Sequence, residues 1–201
     1  MFTGLVEGVG EVLGLEPRGT GLRLTLGAAI PGFQTRTGAS ISVSGACLSV
    51  VSEQEGRLAF DLSAETLART RFASLRLGER LNLERALLLS SRLDGHMVSG
   101  HIDAVGTITG MYDSGDGGRW LEVEVPPDLE RFLVDKGSIT VDGISLTVVR
   151  PKQRRFQVAL IPLTLEHTNL GAAEVGQAVN LEADLVAKWI DRLRTSERKS
   201  T

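Results

Sequence analysis

The chain has a single cysteine, Cys47, among its 201 residues, so an intramolecular disulfide is excluded. A lone thiol in a polar chain suits a reducing compartment. Excess basic charge is absent as well. Twenty-two Lys and Arg stand against 25 Asp and Glu, a net charge of -3, which gives no reason to expect nucleic acid. No run reaches the roughly 18 uncharged apolar residues of a membrane span. Met1-Phe2-Thr3-Gly4 lacks the basic-then-apolar pattern of a secretion signal. The expectation is a soluble, cytoplasmic protein with neither a nucleic-acid nor a membrane partner.

What is present is a long internal repeat. Met1 and Met97, Gly4 and Gly100, Gly10 and Gly106, and Gly14 and Gly110 lie 96 positions apart. After a two-residue insertion, Ser40-Ile41-Ser42-Val43-Ser44-Gly45 falls on Ser138-Ile139-Thr140-Val141-Asp142-Gly143, and Asn82-Leu83-Glu84 on Asn180-Leu181-Glu182, at an offset of 98. Solenoid units repeat every 20–50 residues or so, whereas about a hundred is the size of a domain. Two similar domains imply two similar pockets, which suits a reaction between two copies of one molecule.

Alternating apolar and polar residues in Leu22–Leu26, Ser40–Val43, Leu81–Glu84 and Leu121–Val125 read as strands, with glycine-rich hairpin loops between them. About six such strands fit each repeat, a number that closes into a small barrel. Each half also offers one short helix, Ala64–Arg71 and Leu163–Asn169, and Leu87–Asp94 links the halves. Outside the repeat, Leu185, Val186, Trp189, Ile190 and Leu193 recur at helical spacing after Asp184, a candidate cap. Arg192, Arg194, Arg198 and Lys199 gather toward the negative end of the helix dipole. Two complete barrels leave little core for such a helix to cover, so its apolar face is expected to meet another subunit.

Function should divide where the repeats differ. Cys47 and Ser49, aligned with Ser145 and Thr147, sit two apart on a strand and so share the face opposite the apolar Ala46, Leu48 and Val50. The same pattern in both repeats, beside a glycine, points to a ligand-facing surface. Four differences between the halves matter most: Leu5 becomes His101, Gly38 becomes Lys136, Ser44 becomes Asp142 and Cys47 becomes Ser145. A single histidine or lysine is ordinarily solvated or structural. Three titratable gains at matched positions instead suggest that the second site holds proton-transfer groups, each worth about 10²–10⁴-fold when well placed.

These residues carry a resemblance. Met1-Phe2-Thr3-Gly4-Leu5-Val6, Cys47-Leu48-Ser49-Val50, Gly95-His96-Met97-Val98-Ser99-Gly100-His101-Ile102-Asp103, Asp142-Gly143-Ile144-Ser145-Leu146-Thr147-Val148 and Ile161-Pro162-Leu163-Thr164-Leu165-Glu166-His167-Thr168 resemble, in order, riboflavin synthases of the α-chain type. The resemblance implies an all-β fold of two six-stranded Greek-key barrels, residues 1–94 and 95–183, with an oligomerisation helix over 184–201. It also implies a homotrimer joined by those helices, lumazine synthase as an associating partner, and no metal or organic cofactor. The implied reaction is dismutation of two 6,7-dimethyl-8-ribityllumazine molecules into riboflavin and 5-amino-6-ribitylaminouracil.

Cys47, His101, Lys136, Ser145 and Thr147 are the implied catalytic set. In the first repeat, binding falls to Gly4-Leu5-Val6, Ser40, Cys47-Leu48-Ser49 and Asp61-Leu62-Ser63-Ala64-Glu65-Thr66. In the second it falls to His101-Ile102-Asp103, Lys136, Asp142, Ser145-Leu146-Thr147 and Leu160-Ile161-Pro162-Leu163-Thr164-Leu165. A non-catalytic lumazine- or flavin-binding antenna of the same fold is the main competitor, because function lives in the site rather than the fold. A flavin reductase is discounted: Gly8-Val9-Gly10 with Gly14 misses the dinucleotide spacing and opens no helix.

Overall fold

A computed structural model describes residues 1–28, 30 and 32–197 of the chain. The first repeat forms β1 (Gly8–Arg18), β2 (Gly21–Gly27), β3 (Ser40–Val43), β4 (Ala46–Gln54), β5 (Arg57–Leu62) and β6 (Arg80–Arg85), closed in the order β1-β2-β5-β4-β3-β6. All pairs are antiparallel, and the jump from β2 to β5 makes the path a Greek key. The alternation read from the sequence fills the inside: Leu24, Leu26, Ile41, Val43, Phe60, Leu81 and Leu83 are fully or almost fully buried. Gly8 and Gly10 lie at the start of β1 and precede no helix.

The second repeat forms β7 (Ala104–Asp113), β8 (Arg119–Glu124), β9 (Ser138–Val141), β10 (Ile144–Thr147), β11 (Val149–Lys152), β12 (Arg155–Leu160) and β13 (Ala178–Ala183). Its order, β10-β9-β13-β7-β8-β12-β11, is the same ring with one strand divided. β10 and β11 together are the counterpart of β4, and Val148 joins the two ends of the sheet covalently. Seven strands therefore stand where six were expected. The break has a local cause: Arg150 adopts a left-handed conformation (φ +53°) and donates its N–H to Asp135 Oδ1 at 3.0 Å instead of to a neighbouring strand.

The expected helices are present but end early. α1 spans Ala64–Arg69, the four-residue α2 spans Pro127–Glu130 in the second repeat, and α3 spans Pro162–His167. α1 and α3 are each followed by one 3-10 turn, Arg71–Ser74 and Asn169–Ala172. Thr70 and Thr168 are extended and interrupt the helices. Each break turns the next side chain, Arg71 or Asn169, into the interface between the barrels, where both are buried. α4 (Leu185–Glu197) carries the C-terminal periodicity, and Asp184 caps it by accepting from Val186 N at 2.9 Å. Val186, Trp189 and Ile190 are 49–62% exposed, so this face is uncovered among the described residues. Arg198 and Lys199 lie outside the described residues.

The interface between the barrels corrects one expectation. Asp142, read as a gain of the second pocket, is completely buried. Its carboxylate accepts from Arg71 Nε (3.2 Å), Asn180 N (2.8 Å) and Asn169 Nδ2 (2.6 Å). Around it, Asn82 Nδ2 donates to the Asp142 carbonyl (2.9 Å) and Asn180 Nδ2 to the Ser44 carbonyl (2.9 Å), a matched pair of bonds across the repeat. The repeat explains the residue types. Arg71 and Asp142 form an ion pair on one side of the approximate dyad, while their counterparts Asn169 and Ser44 fill the other side without charge. Asp142 therefore locks the two barrels together.

Asp142→Ser leaves the buried Arg71 guanidinium with its second ion-pair partner, Glu79, but removes the fully buried one, and removing one partner of a buried pair costs up to about 3–5 kcal/mol. The double variant Arg71→Asn with Asp142→Ser copies the uncharged side and should lose clearly less than the sum of its single variants. Urea unfolding of the four proteins checks this, with turnover per folded molecule largely retained in the double variant.

Candidate functional site

The two halves of the molecule build each other's pockets. The segment leading into the first barrel crosses to the second, where Gly4 O accepts from Ser145 N at 2.8 Å and Val6 packs on the second core. The segment leading into the second barrel makes the reciprocal crossing. Gly100 O accepts from Cys47 N at 2.8 Å and Ile102 packs on the first core. Between them, Phe2 and Val98 pair as an isolated antiparallel bridge, both fully buried. The glycines are required by contact. A Cβ on Gly4 would lie 2.6 Å from Ser145 Cβ, and one on Gly100 2.5 Å from Cys47 Cβ, at φ of +78° and +83°.

This crossing moves His101. It was assigned to the second site, but it lines a cleft of about 370 Å³ on the first barrel together with Cys47, Thr66, Arg69 and Ile102. Strand alternation exposes the thiol there: Ala46 and Leu48 are buried, Cys47 is half-buried and Ser49 is exposed. At the other site Ser145 and Thr147 face outward in the same way, beside Leu5. Four larger clefts, about 430, 460, 710 and 810 Å³, border neither Cys47 nor Ser145.

Ser145 has a partner, His96, that stands in the resemblance motif but outside the implied catalytic set. His96 Nδ1 lies 2.7 Å from Ser145 Oγ, and its Nε2 is buried with no partner. Burial holds the imidazole below its ordinary pKa, against the upward pull of Asp184 and Glu182. A neutral ring with the proton on Nε2 accepts from the Ser145 hydroxyl, the arrangement of a base beside a nucleophile or proton donor. The first site thus pairs a thiol with an imidazole in one cleft, and the second hydrogen-bonds a hydroxyl to an imidazole.

The comparisons match the twofold repeat of the chain. The family described as "Lumazine binding domain" matches twice, at residues 3–86 and 99–184. Among curated relatives, the riboflavin synthase of Mycobacterium bovis is 48% identical, covering 98% of this chain and 99% of its own. That of Actinobacillus pleuropneumoniae is 40% identical (96% and 89%), and that of Bacillus subtilis 33% (100% and 94%).

The chain belongs to the riboflavin synthase family.

Its activity is accordingly the transferase step that names that family, carried on two lumazine-binding barrels. In fold it is similar to a crystal structure of LumP complexed with riboflavin (TM-score 0.83, 24% identity, 91% of this chain and 99% of the other). A structure of LumP complexed with 6,7-dimethyl-8-(1'-D-ribityl) lumazine gives a TM-score of 0.80 at 23% identity, with the same coverage.

The remaining candidates from the riboflavin synthase resemblance divide. Glu65 and Thr66 line the Cys47 cleft. Ser63 caps α1, its Oγ accepting from Thr66 N at 3.1 Å. Asp61 is tied to Arg23 by two bonds of 2.8 Å, which hold its carboxyl below the ordinary range. Asp103 lines the cleft but is committed, accepting from Ala183 N and from Lys188 Nζ at 2.8 Å each. Leu48, Leu62 and Leu160 point into the cores, Ser40 is half-buried at the start of β3, and Ala64 is exposed on α1. Ile161 to Leu165 occupy the start of α3, with Ile161, Pro162 and Leu163 exposed and Leu165 against the second core. Leu146 packs on that core too.

Lys136 is exposed, and its N–H donates to Val148 O at 2.8 Å, one residue from Thr147. Its φ of +64° is a left-handed conformation that its counterpart Gly38 adopts at +84°. A lysine there costs about 1–2 kcal/mol, partly offset because glycine loses about 0.5–1 kcal/mol more entropy on folding. A strained lysine whose backbone is bonded next to Thr147 argues for use of its charge.

Two outcomes are expected. Lys136→Gly should leave stability unchanged or raise it by up to about 1 kcal/mol while lowering turnover, measured by thermal unfolding and product absorbance. For His96, the unfolded chain takes up a proton near pH 6.5 or so that the folded one resists, so stability falls as pH drops through that value. His96→Gln should flatten this fall and cut turnover by about 10²-fold or more, read from urea midpoints on either side of neutrality.

Proposed function

We propose that the two sites hold two copies of 6,7-dimethyl-8-ribityllumazine, one giving a four-carbon unit to the other to yield riboflavin and 5-amino-6-ribitylaminouracil. The observation that carries this is the pair of equivalent sites in one frame with different chemistry, a thiol and imidazole in one and a hydroxyl, imidazole and ammonium in the other. The lumazine 7-methyl group is acidified by its ring and must lose a proton before the carbanion attacks the second ring. His101 and His96 are the groups placed to take it. Cys47 is the stronger nucleophile of the two matched positions. Lys136 stabilises negative charge growing on the pyrimidine side. Pairing the bound rings face to face supplies much of the rate, since positioning alone contributes on the order of 7–11 kcal/mol.

Cys47 and Ser145 open on different barrels, so the first barrel of one subunit pairs with the second barrel of another. The exposed Val186, Trp189 and Ile190 of α4 support association, in a homotrimer through these helices. We place the enzyme in the cytoplasm, with lumazine synthase as its neighbour.

Purified protein given the lumazine alone should develop riboflavin absorbance. Tight fluorescent binding with no colour change would instead fit an antenna. Because His101 belongs with Cys47, the complementing pair is a chain crippled at Cys47 and His101 co-expressed with one crippled at Ser145 and Lys136. Mixed oligomers should regain part of the activity. If they form and stay inactive, the site lies within a single chain.

A further inference from the structure

We infer that Glu182, on the last strand of the second barrel, is a positioning residue for the thiol and imidazole of the first. Glu182 is 1% exposed, and its carboxylate takes three donors from the crossing segment. Oε1 accepts from Ser99 N (2.8 Å) and Ser99 Oγ (2.5 Å), and Oε2 accepts from Gly100 N (2.9 Å). Gly100 then presents its carbonyl to Cys47 N at 2.8 Å, and the next residue is His101. The path from Glu182 to the Cys47 cleft is one hydrogen bond, one residue and one further hydrogen bond. Glu84 repeats the arrangement at the other site. It accepts from Thr3 N, Thr3 Oγ1 and Gly4 N at 2.6, 2.7 and 3.0 Å, and Gly4 presents its carbonyl to Ser145.

Only a carboxylate satisfies this geometry. It offers acceptors on both oxygens, whereas an amide must turn an N–H₂ toward one of the two donating positions and leave a buried donor unpaired. The wiring is crossed: the glutamate of each barrel sets the pocket of the other. The reason lies in the fold, since each leading segment is clamped by its own barrel and delivered to its neighbour. The inference rests on the reading that Cys47 and His101 act in one site, so its readout is kept separate from activity.

Cys47 is the only thiol in the chain and therefore a unique reporter. Alkylation of the full-length protein by iodoacetamide, followed by mass across a pH series, measures its reactivity. Glu182→Gln should change the rate at least about threefold and alter its pH profile, because a displaced Gly100 moves both the thiol's backbone anchor and His101. Displacements of this kind cost up to about 10²-fold in rate, so kcat should fall by more than KM changes. Glu84→Gln should also slow turnover but leave the Cys47 rate and profile at wild-type values. If Glu182→Gln does not fold, Ser99→Ala removes one donor and should shift the Cys47 rate in the same direction by less. Wild-type alkylation in the folded Glu182 variant, or in Ser99→Ala where that variant fails to fold, would overturn the inference. So would equal effects of the two glutamate variants. Absence of riboflavin formation by the wild-type protein would refute the function and leave this test readable.

Discussion

The molecule depends on two hydrogen bonds related by its internal repeat: Cys47 N to Gly100 O, and Ser145 N to Gly4 O. Each is made by the strand residue that carries a reactive side chain, and each is accepted by a segment arriving from the other half. Neither barrel has a complete pocket without its partner's leading segment. The buried Phe2–Val98 bridge, the glycines that permit contact and the carboxylates of Glu84 and Glu182 all serve this exchange. So does the buried polar network around Asp142, which fixes the angle at which one barrel meets the other.

Symmetry builds two equal frames, and a few substitutions make them unequal. One frame receives Cys47 and His101, the other Ser145, His96 and Lys136. A reaction in which one lumazine donates what an identical one accepts needs this inequality. Two like pockets bind two like molecules, and different acid, base and nucleophile sets assign them different roles. The cost is visible at Lys136, a charged side chain held where the repeat elsewhere uses glycine.

Much of this was legible in the sequence because β-structure writes itself in alternation. Residues 22–26, 40–43 and 81–84 became strands with the expected faces inward, and the strand of Cys47 and Ser49 turned those side chains out. The offset of 96 and then 98 gave the two barrels before any strand was placed. What the sequence hid was which half serves which pocket. Alignment of Leu5 with His101 identifies equivalent positions, but a chain that crosses over delivers each to the opposite barrel, and only long-range pairing reveals that. Asp142 was misplaced for a related reason. Its novelty against Ser44 looked catalytic until Arg71, an equal novelty against Asn169, was found beside it. Arg71 and Asp142 are asymmetric positions that compensate each other in charge. His96 escaped a role because it precedes the repeat's first residue and has no counterpart to differ from. The division of the β4 counterpart at Val148, just before the left-handed Arg150, left no mark in the alternation, since a left-handed residue alters the path and not the pattern.

The central claim is that His101 and Cys47 occupy one pocket although they come from different repeats. With histidine ring carbons labelled and Cys47 capped by a small methylthio group, nuclear magnetic resonance reads His96, His101 and His167 separately. The account predicts that His101 shifts and changes its titration on capping, while His96, hydrogen-bonded to Ser145, keeps both. A silent His101, or a response confined to His96, would contradict it.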